Sequence, residues 1–205
     1  MSFEEIVKGR TSVRKYQTDY EMPNEDLQEI LSLAAQAPSS WNLQHWRYLV
    51  VTKPEIKERL LPLSYNQKQV VDANAVIIIL GDLEADKTGR AIYEAAANAG
   101  QMSQEVANNL IGQIEGAYQM GGQAYARDEA YLNVGLTAMQ LMLAARAKGY
   151  DTCPMRGFDR DAVTKELNIP SRYTPIVMLT LGKAAAPGHP SGRLSLDELV
   201  ISESF

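Results

Sequence analysis

The chain has 205 residues, 45% hydrophobic and 22% charged, with 25 acidic against 20 basic side chains and a formal net charge of −5. This is an ordinary globular composition, and a chain of this length buries roughly 70% of its unfolded surface without needing staples. The acid excess argues against a surface that tracks nucleic acid or anionic lipid, which favour basic stripes, and leaves room for a local site that takes a small anion.

The opening Met1-Ser-Phe-Glu-Glu stretch has acids where a signal peptide carries a basic and then an apolar run. Ser2 with Glu5 has the form of a capping box, predicting a short helix that ends near Gly9. Residues 10–16 have no helical period and read as extended. Asn24 is placed to cap a helix whose apolar stripe is Leu27, Ile30, Leu31 and Ala34, with Pro38 closing it. A polar loop over 38–45 feeds a strand at Trp46–Val51, and Pro54 suits the first turn of a helix to Leu63.

Val76–Leu80 is the clearest buried strand. The longest aliphatic run, Ala75–Leu80, is far short of the roughly 20 residues that span a bilayer. Residues 90–125 read as helix with breaks, one of them at Gly121-Gly122. Asp128–Lys148 is a long helix with Leu132, Leu136, Met139, Leu143 and Ala147 on one stripe, assigned to the core or to a dimer seam. Residues 151–158 form a strand or turn, Asp159 caps a helix to Leu167, and Ile176–Leu181 is a further strand. A Pro/Gly-rich arm and a short apolar tail follow. Strand and helix alternation by itself points to a doubly wound α/β domain. Cys153 is the single cysteine, which fits a reducing compartment and a cytoplasmic protein.

Several segments hold candidate chemistry. Lys8, Arg10, Arg14 and Lys15 put four cations and no acid into residues 8–18, and in an extended segment Arg10, Ser12 and Arg14 share a face. Two guanidinium forks beside a hydroxyl match a phosphate or another planar anion; a solvated basic face is the alternative. Ser39, Ser40, Asn42 and Gln44 crowd small polar groups into one loop, suited either to a ribityl chain or sugar or to the turn's own backbone. Pro154 and Gly157 make a bend from which Arg156 and Gly157 can aim backbone N–H groups at a ligand, or a plain strand-to-helix turn. Arg193 is an isolated cation in the arm. His45, His189 and Cys153 are too scattered for a zinc site, and no GxGxxG or Walker loop occurs.

Taken in order, R-x-S-x-R at 10–14, A-P-S-S-x-N-x-Q-x-W at 37–46, N-Q-K-Q at 66–69, P-x-x-G-F-D at 154–159 and the late Arg193 resemble the FMN-dependent nitroreductase family. The likeness is greatest to small bacterial NAD(P)H nitroreductases, through Trp-Asn-Leu-Gln-His-Trp (41–46) and Tyr-Asn-Gln-Lys-Gln (65–69). The resemblance implies a single α+β domain over 1–205 with a central mixed sheet flanked by helices. It implies an intertwined homodimer whose arm, 183–205, lies on the partner, with FMN at the subunit junction and NADH or NADPH as electron donor. By that likeness Arg10, Ser12 and Arg193 hold the phosphate, Thr11 is a further cofactor contact, and Arg14 sits at the flavin N1/O2 edge. Pro38, Ser39, Ser40 and Asn42 come from the partner chain, and Asn66 and Gln69 read the pyrimidine edge. The backbone of Arg156 and Gly157 approaches N5, Pro154 is a further cofactor contact, and Trp41 is assigned to the substrate. Gln69 and Arg156 depart from relatives that carry Lys and Glu there, and His45 from relatives with Pro. The chemistry belongs to the flavin, so no catalytic side chain and no metal is expected. The implied activity is ping-pong hydride transfer to nitroaromatic or quinone-type acceptors; the same scaffold also hosts reductive dehalogenation, flavin cleavage and substrate dehydrogenation, and a non-catalytic flavin-binding dimer is a further alternative.

Overall fold

A computed structural model describes residues 1–205. Its elements are α1 (Phe3–Gly9), α2 (Asn24–Ala34), β1 (Trp46–Val51), α3 (Pro54–Leu63), α4 (Gln69–Asp72), β2 (Ala75–Asp82), α5 (Ala85–Asn98), α6 (Gln104–Ala147), β3 (Asp151–Met155), α7 (Arg160–Glu166), β4 (Tyr173–Gly182) and α8 (Leu196–Leu199). The capping box at Ser2 forms as expected, and Asp159 caps α7 by accepting from the Ala162 N–H at 2.9 Å. At α2 the cap is Pro23, and Asn24 is the first helical residue with no side-chain capping bond. That helix ends at Ala34, so Pro38 lies in the following loop rather than at the helix end.

The strands lie in the order β1-β2-β4-β3. All three neighbouring pairs are antiparallel, which overturns the doubly wound arrangement that alternation alone suggests. The reason is visible between β1 and β2, where α3 and α4 come as a pair and return the chain in the opposite direction. Between β3 and β4, α7 has 7 residues, about 10 Å at 1.5 Å per residue, too short to carry the chain back along the sheet. The mixed character of the sheet is confined to one isolated parallel bridge, Ser12 to Thr152.

Every residue of β2 is buried, because the sheet is covered on both faces. Ala75, Ile77 and Ile79 pack with Leu27 and Ile30 of α2 and Val134 and Leu141 of α6. Val76, Ile78 and Leu80 face the other way, against Leu60 of α3 and Val163 of α7. On α6 the buried face is Ala130, Val134, Ala138, Leu141 and Ala145. The Leu132, Leu136 and Met139 stripe is therefore not core: it is 58%, 40% and 39% exposed in the single chain. No helix is long and apolar enough to cross a membrane.

The break expected at Gly121-Gly122 is a kink inside the 44-residue α6, where Gly122 adopts φ 59°, ψ −153°. L-residues avoid that region. A Cβ at Gly122 would meet nothing within 4 Å, so the demand is conformational and not steric. Gly122→Ala should destabilise the protein by about 1–3 kcal/mol, read as a lowered urea midpoint with an unchanged m-value.

Candidate functional site

The 10–16 segment is held by its backbone. Val13 N–H donates to the Thr152 carbonyl at 3.0 Å, Gln17 N–H to Lys183 at 2.9 Å, and Lys15 accepts from Ala185 N–H at 2.8 Å. Val13 and Tyr16 are buried, Arg10, Thr11 and Ser12 half-buried, and Arg14 exposed. Burial pushes the Cys153 thiol up, while Arg14 and Arg10 pull it the other way, and the Ser12 to Thr152 bridge lays the 10–14 segment along the flank of β3. Six arginines (47, 59, 90, 127, 146 and 172) have a carboxylate within 4.0 Å. Arg10, Arg14, Arg156, Arg160 and Arg193 have none.

The same edge of the sheet receives the 64–69 turn. Gln67 Nε2 donates to the Gly157 carbonyl at 2.8 Å and to the Ser64 carbonyl at 3.1 Å. Gln69 Nε2 donates to Gln67 Oε1 at 3.1 Å and lies 3.7 Å from Met155 Sδ. Asn66 is exposed and Gln69 is 5% exposed, so Asn66 presents its amide outward and Gln69 offers little surface. Pro154 and Gly157 are exposed; Pro154 is tolerated because β3 is an edge strand. The Arg156 side chain reaches β4, its Nη1 donating to the Ile176 carbonyl at 2.7 Å.

The start of the arm reaches this edge. A Cβ on Gly188 would lie 2.7 Å from both Ser12 O and Thr11 Oγ1, an approach only glycine allows. Arg193, a few residues on, bonds only to its own neighbours, Ser191 and Gly192.

The 38–45 loop is elsewhere. It feeds β1 at the opposite edge of the sheet, three strand spacings or about 14 Å from β3, and packs on α6. Ser40 N–H donates to Asn133 Oδ1 at 2.9 Å, and Asn133 Nδ2 donates to the Glu129 carbonyl at 2.7 Å. Ser39 Oγ accepts from Gln44 N–H at 3.0 Å, and the Trp41 carbonyl accepts from the Tyr93 hydroxyl at 3.0 Å. Pro38 and Asn42 are exposed. Trp41 is half-buried against the Leu43, Ile114 and Tyr118 cluster. One chain therefore brings together Arg10–Arg14, 66–69, 154–157 and the start of the arm, and does not bring Pro38, Ser39, Ser40, Trp41 or Asn42 to them.

Strain marks both loops. Trp41, Asn42, Gln44, Tyr65 and Asn66 have φ of 50–57°, leaving only Asn168 and Glu203 as non-glycine residues of positive φ elsewhere. Each costs on the order of 1 kcal/mol, less for Asn. A cleft of about 1020 Å³ between the α6 kink and the start of β4 contains none of these residues.

Sequence reasoning missed the groups that hold the loops. Asn133 looks like any polar helix residue. Lys57, in a charged helix, is 7% exposed and donates to the Val71 and Ala73 carbonyls at 3.0 and 2.6 Å, bracing the end of α4. His45 is fully buried, with Nε2 3.0 Å from the Tyr118 hydroxyl and 4.0 Å from Glu129 Oε2, and its Nδ1 has no partner.

An antiparallel sheet sandwiched by helices, with unpaired arginines and strained polar loops at its edges, defines the class, and comparison with known proteins supplies the family. The Nitroreductase family model matches residues 7–183, and the chain belongs to that family. A Bacillus subtilis protein named "Putative NAD(P)H nitroreductase YodC" is 47% identical over 95% of this chain and 96% of its own. A Thermus thermophilus protein named "NADH dehydrogenase" is 33% identical over 94% and 91%. The crystal structure of a "putative nitroreductase in complex with FMN" from Exiguobacterium sibiricum is 40% identical, with a TM-score of 0.93 over 99% of this chain and 98% of that one.

Burial depresses the His45 pKa below 6.5, against the raising pull of Glu129 and Asp82. The neutral folded form gives a contribution to stability that is whole above about pH 6.5 and is lost as the pH falls through the lower folded value, since the unfolded chain binds the proton first. Wild type should lose more stability between about pH 7 and pH 5 than His45→Gln, measured by urea unfolding of both.

Proposed function

We propose that this chain is an FMN-dependent NAD(P)H oxidoreductase, one flavin-binding domain over 1–205 that works as a homodimer. The observation that carries the reading is the set of arginines left without acidic partners in an acidic chain. Arg10 and Arg14 flank β3, and the arm that carries Arg193 begins against Thr11 and Ser12. A phosphate near −2 needs such cations and an acidic surface supplies none. These residues fit FMN: Arg10, Thr11, Ser12 and Arg193 for the phosphate, Arg14 for the N1/O2 edge, and Asn66 and Gln69 for the pyrimidine side. Pro154 and the backbone at Arg156 and Gly157 are assigned to the N5 side.

The partner supplies the rest. Pro38, Ser39, Ser40 and Asn42 lie at the far sheet edge of their own chain, so they complete the site only from a second copy, with Trp41 beside the acceptor. The exposed Leu132, Leu136 and Met139 stripe on α6 is the apolar surface that a second copy covers, and the arm 183–205 lies on that copy.

When bound, FMN supplies hydride acceptance from NADH or NADPH and two-electron delivery to a nitroaromatic or quinone in ping-pong fashion. The chain binds, orients and tunes. The Arg14 guanidinium stabilises negative charge on the pyrimidine edge and so favours the reduced cofactor. Asn133 and Tyr93 hold the strained 39–44 loop in shape.

The purified protein should be yellow and should bleach anaerobically on addition of NADH or NADPH; a colourless protein that takes up no FMN sinks the reading. Arg10→Ala with Arg193→Ala should weaken FMN retention at least ~100-fold, from two charge-assisted contacts of roughly 1.5–3 kcal/mol each, while size-exclusion chromatography still shows the dimer.

A further inference from the structure

The arginines without a carboxylate partner form two groups, and only Arg10, Arg14 and Arg193 are used by the proposed flavin site. Arg156 and Arg160 remain. Both lie against the ring of Tyr131 on α6, with guanidinium carbons 5.4 and 5.8 Å from its centroid. Each is fixed by one hydrogen bond: Arg156 Nη1 donates to the Ile176 carbonyl at 2.7 Å, and Arg160 Nη1 to the Tyr131 hydroxyl at 2.9 Å. A guanidinium carries five N–H donors, so most of each fork is left free. The Asp159 carboxylate beside Arg160 is taken up as the α7 cap, and Asp161 makes no ion pair with either arginine.

Two like charges gathered on one phenol ring repel each other, and neither makes an ion pair with an acid of this chain. Arg156 is exposed and Arg160 half-buried, so a ligand can reach the unused donors. The planar fork matches an oxyanion, and the aromatic floor fixes its orientation. Arg156 also precedes Gly157, whose carbonyl is held by Gln67, so the pair stands beside a fixed turn.

We propose that Arg156 and Arg160 form an oxyanion subsite over Tyr131 that selects electron donors or acceptors bearing a carboxylate or phosphate group. This placement rests on the reading that puts the flavin's reacting edge at the Arg156-Gly157 turn. Two sources share the chemistry: the 2′-phosphate that distinguishes NADPH from NADH, and a carboxylate on the acceptor.

The test measures kcat/KM for NADPH against NADH, and for 4-nitrobenzoate against 4-nitrobenzamide, in wild type, Arg156→Gln, Arg160→Gln and Arg160→Lys. One of the two ratios should fall roughly tenfold in both Gln variants, equivalent to about 1.4 kcal/mol, and recover in part in Arg160→Lys. A fall in the first ratio assigns the subsite to the donor phosphate, a fall in the second to the acceptor carboxylate. Both ratios staying within about twofold of wild type overturns the subsite. Calorimetric titration with 2′,5′-ADP and with 4-nitrobenzoate reads the same site without flavin turnover: binding weakened in Arg160→Gln supports it, and binding of both compounds equal to wild type overturns it. If the protein neither holds FMN nor oxidises a nicotinamide, the proposed function fails, and the titration alone decides the subsite.

Discussion

Uncompensated positive charge organises this molecule. With acids in excess, a guanidinium on the surface ordinarily finds a carboxylate, and six of the arginines do so. The 10–14 segment avoids this fate because backbone bonds hold it: a parallel bridge from Ser12 to Thr152 and an antiparallel run with the start of the arm. The fold thus fixes where Arg10 and Arg14 stand without spending their side chains. Charge left free in this way is available to an anion, at the cost of repulsion until one arrives.

Geometry separates the two polar loops. Sheet order places β1 and β3 at opposite edges, and the polar loop that enters β1 cannot meet the cations beside β3 within one chain. Strain adds to the division. Trp41, Gln44 and Tyr65 adopt backbone angles that β-carbons disfavour, and such angles persist only where the surroundings over-determine them. At 39–44 those surroundings are Asn133 and Tyr93; at 65–69 they are Gln67 and the carbonyl of Gly157. Each polar loop is therefore pinned to a different rigid element, α6 in one case and the end of β3 in the other. The two pinned loops cannot face one another within one chain.

The sequence made some of this legible. Strands at Trp46–Val51 and within Ala75–Asp82 carry dense β-branched and aliphatic runs, and helices such as Pro54–Leu63 begin on a residue whose fixed φ suits a first turn. Strand direction was not legible, since a helix pair and a single crossover helix leave similar patterns. The outward stripe of α6 was legible as apolar but not as exposed, because periodicity identifies a face without saying what covers it. The holding groups were the least visible. Asn133 and Lys57 act through carbonyls and amides distant in sequence, and nothing in their local context announces that. The motif residues could be read because their order along the chain is specific, while their conformations, above all the left-handed Trp41 and Tyr65, follow from tertiary bonds.

Gln69 shows how these constraints interact. Its side chain is 5% exposed, with its amide N–H groups on Gln67 and near a methionine sulfur. A lysine ammonium in that pocket would lose hydration and meet one amide oxygen and a weak sulfur acceptor in exchange, a poor return for a buried charge. A neutral amide satisfies the same neighbours at no such cost and also fixes Gln67, which in turn holds Gly157. Gln69 is therefore a brace, while Arg14 stays exposed and without a carboxylate partner. Charge at this site is then concentrated on arginines, whose forks can be oriented and cannot be neutralised by burial as a lysine can.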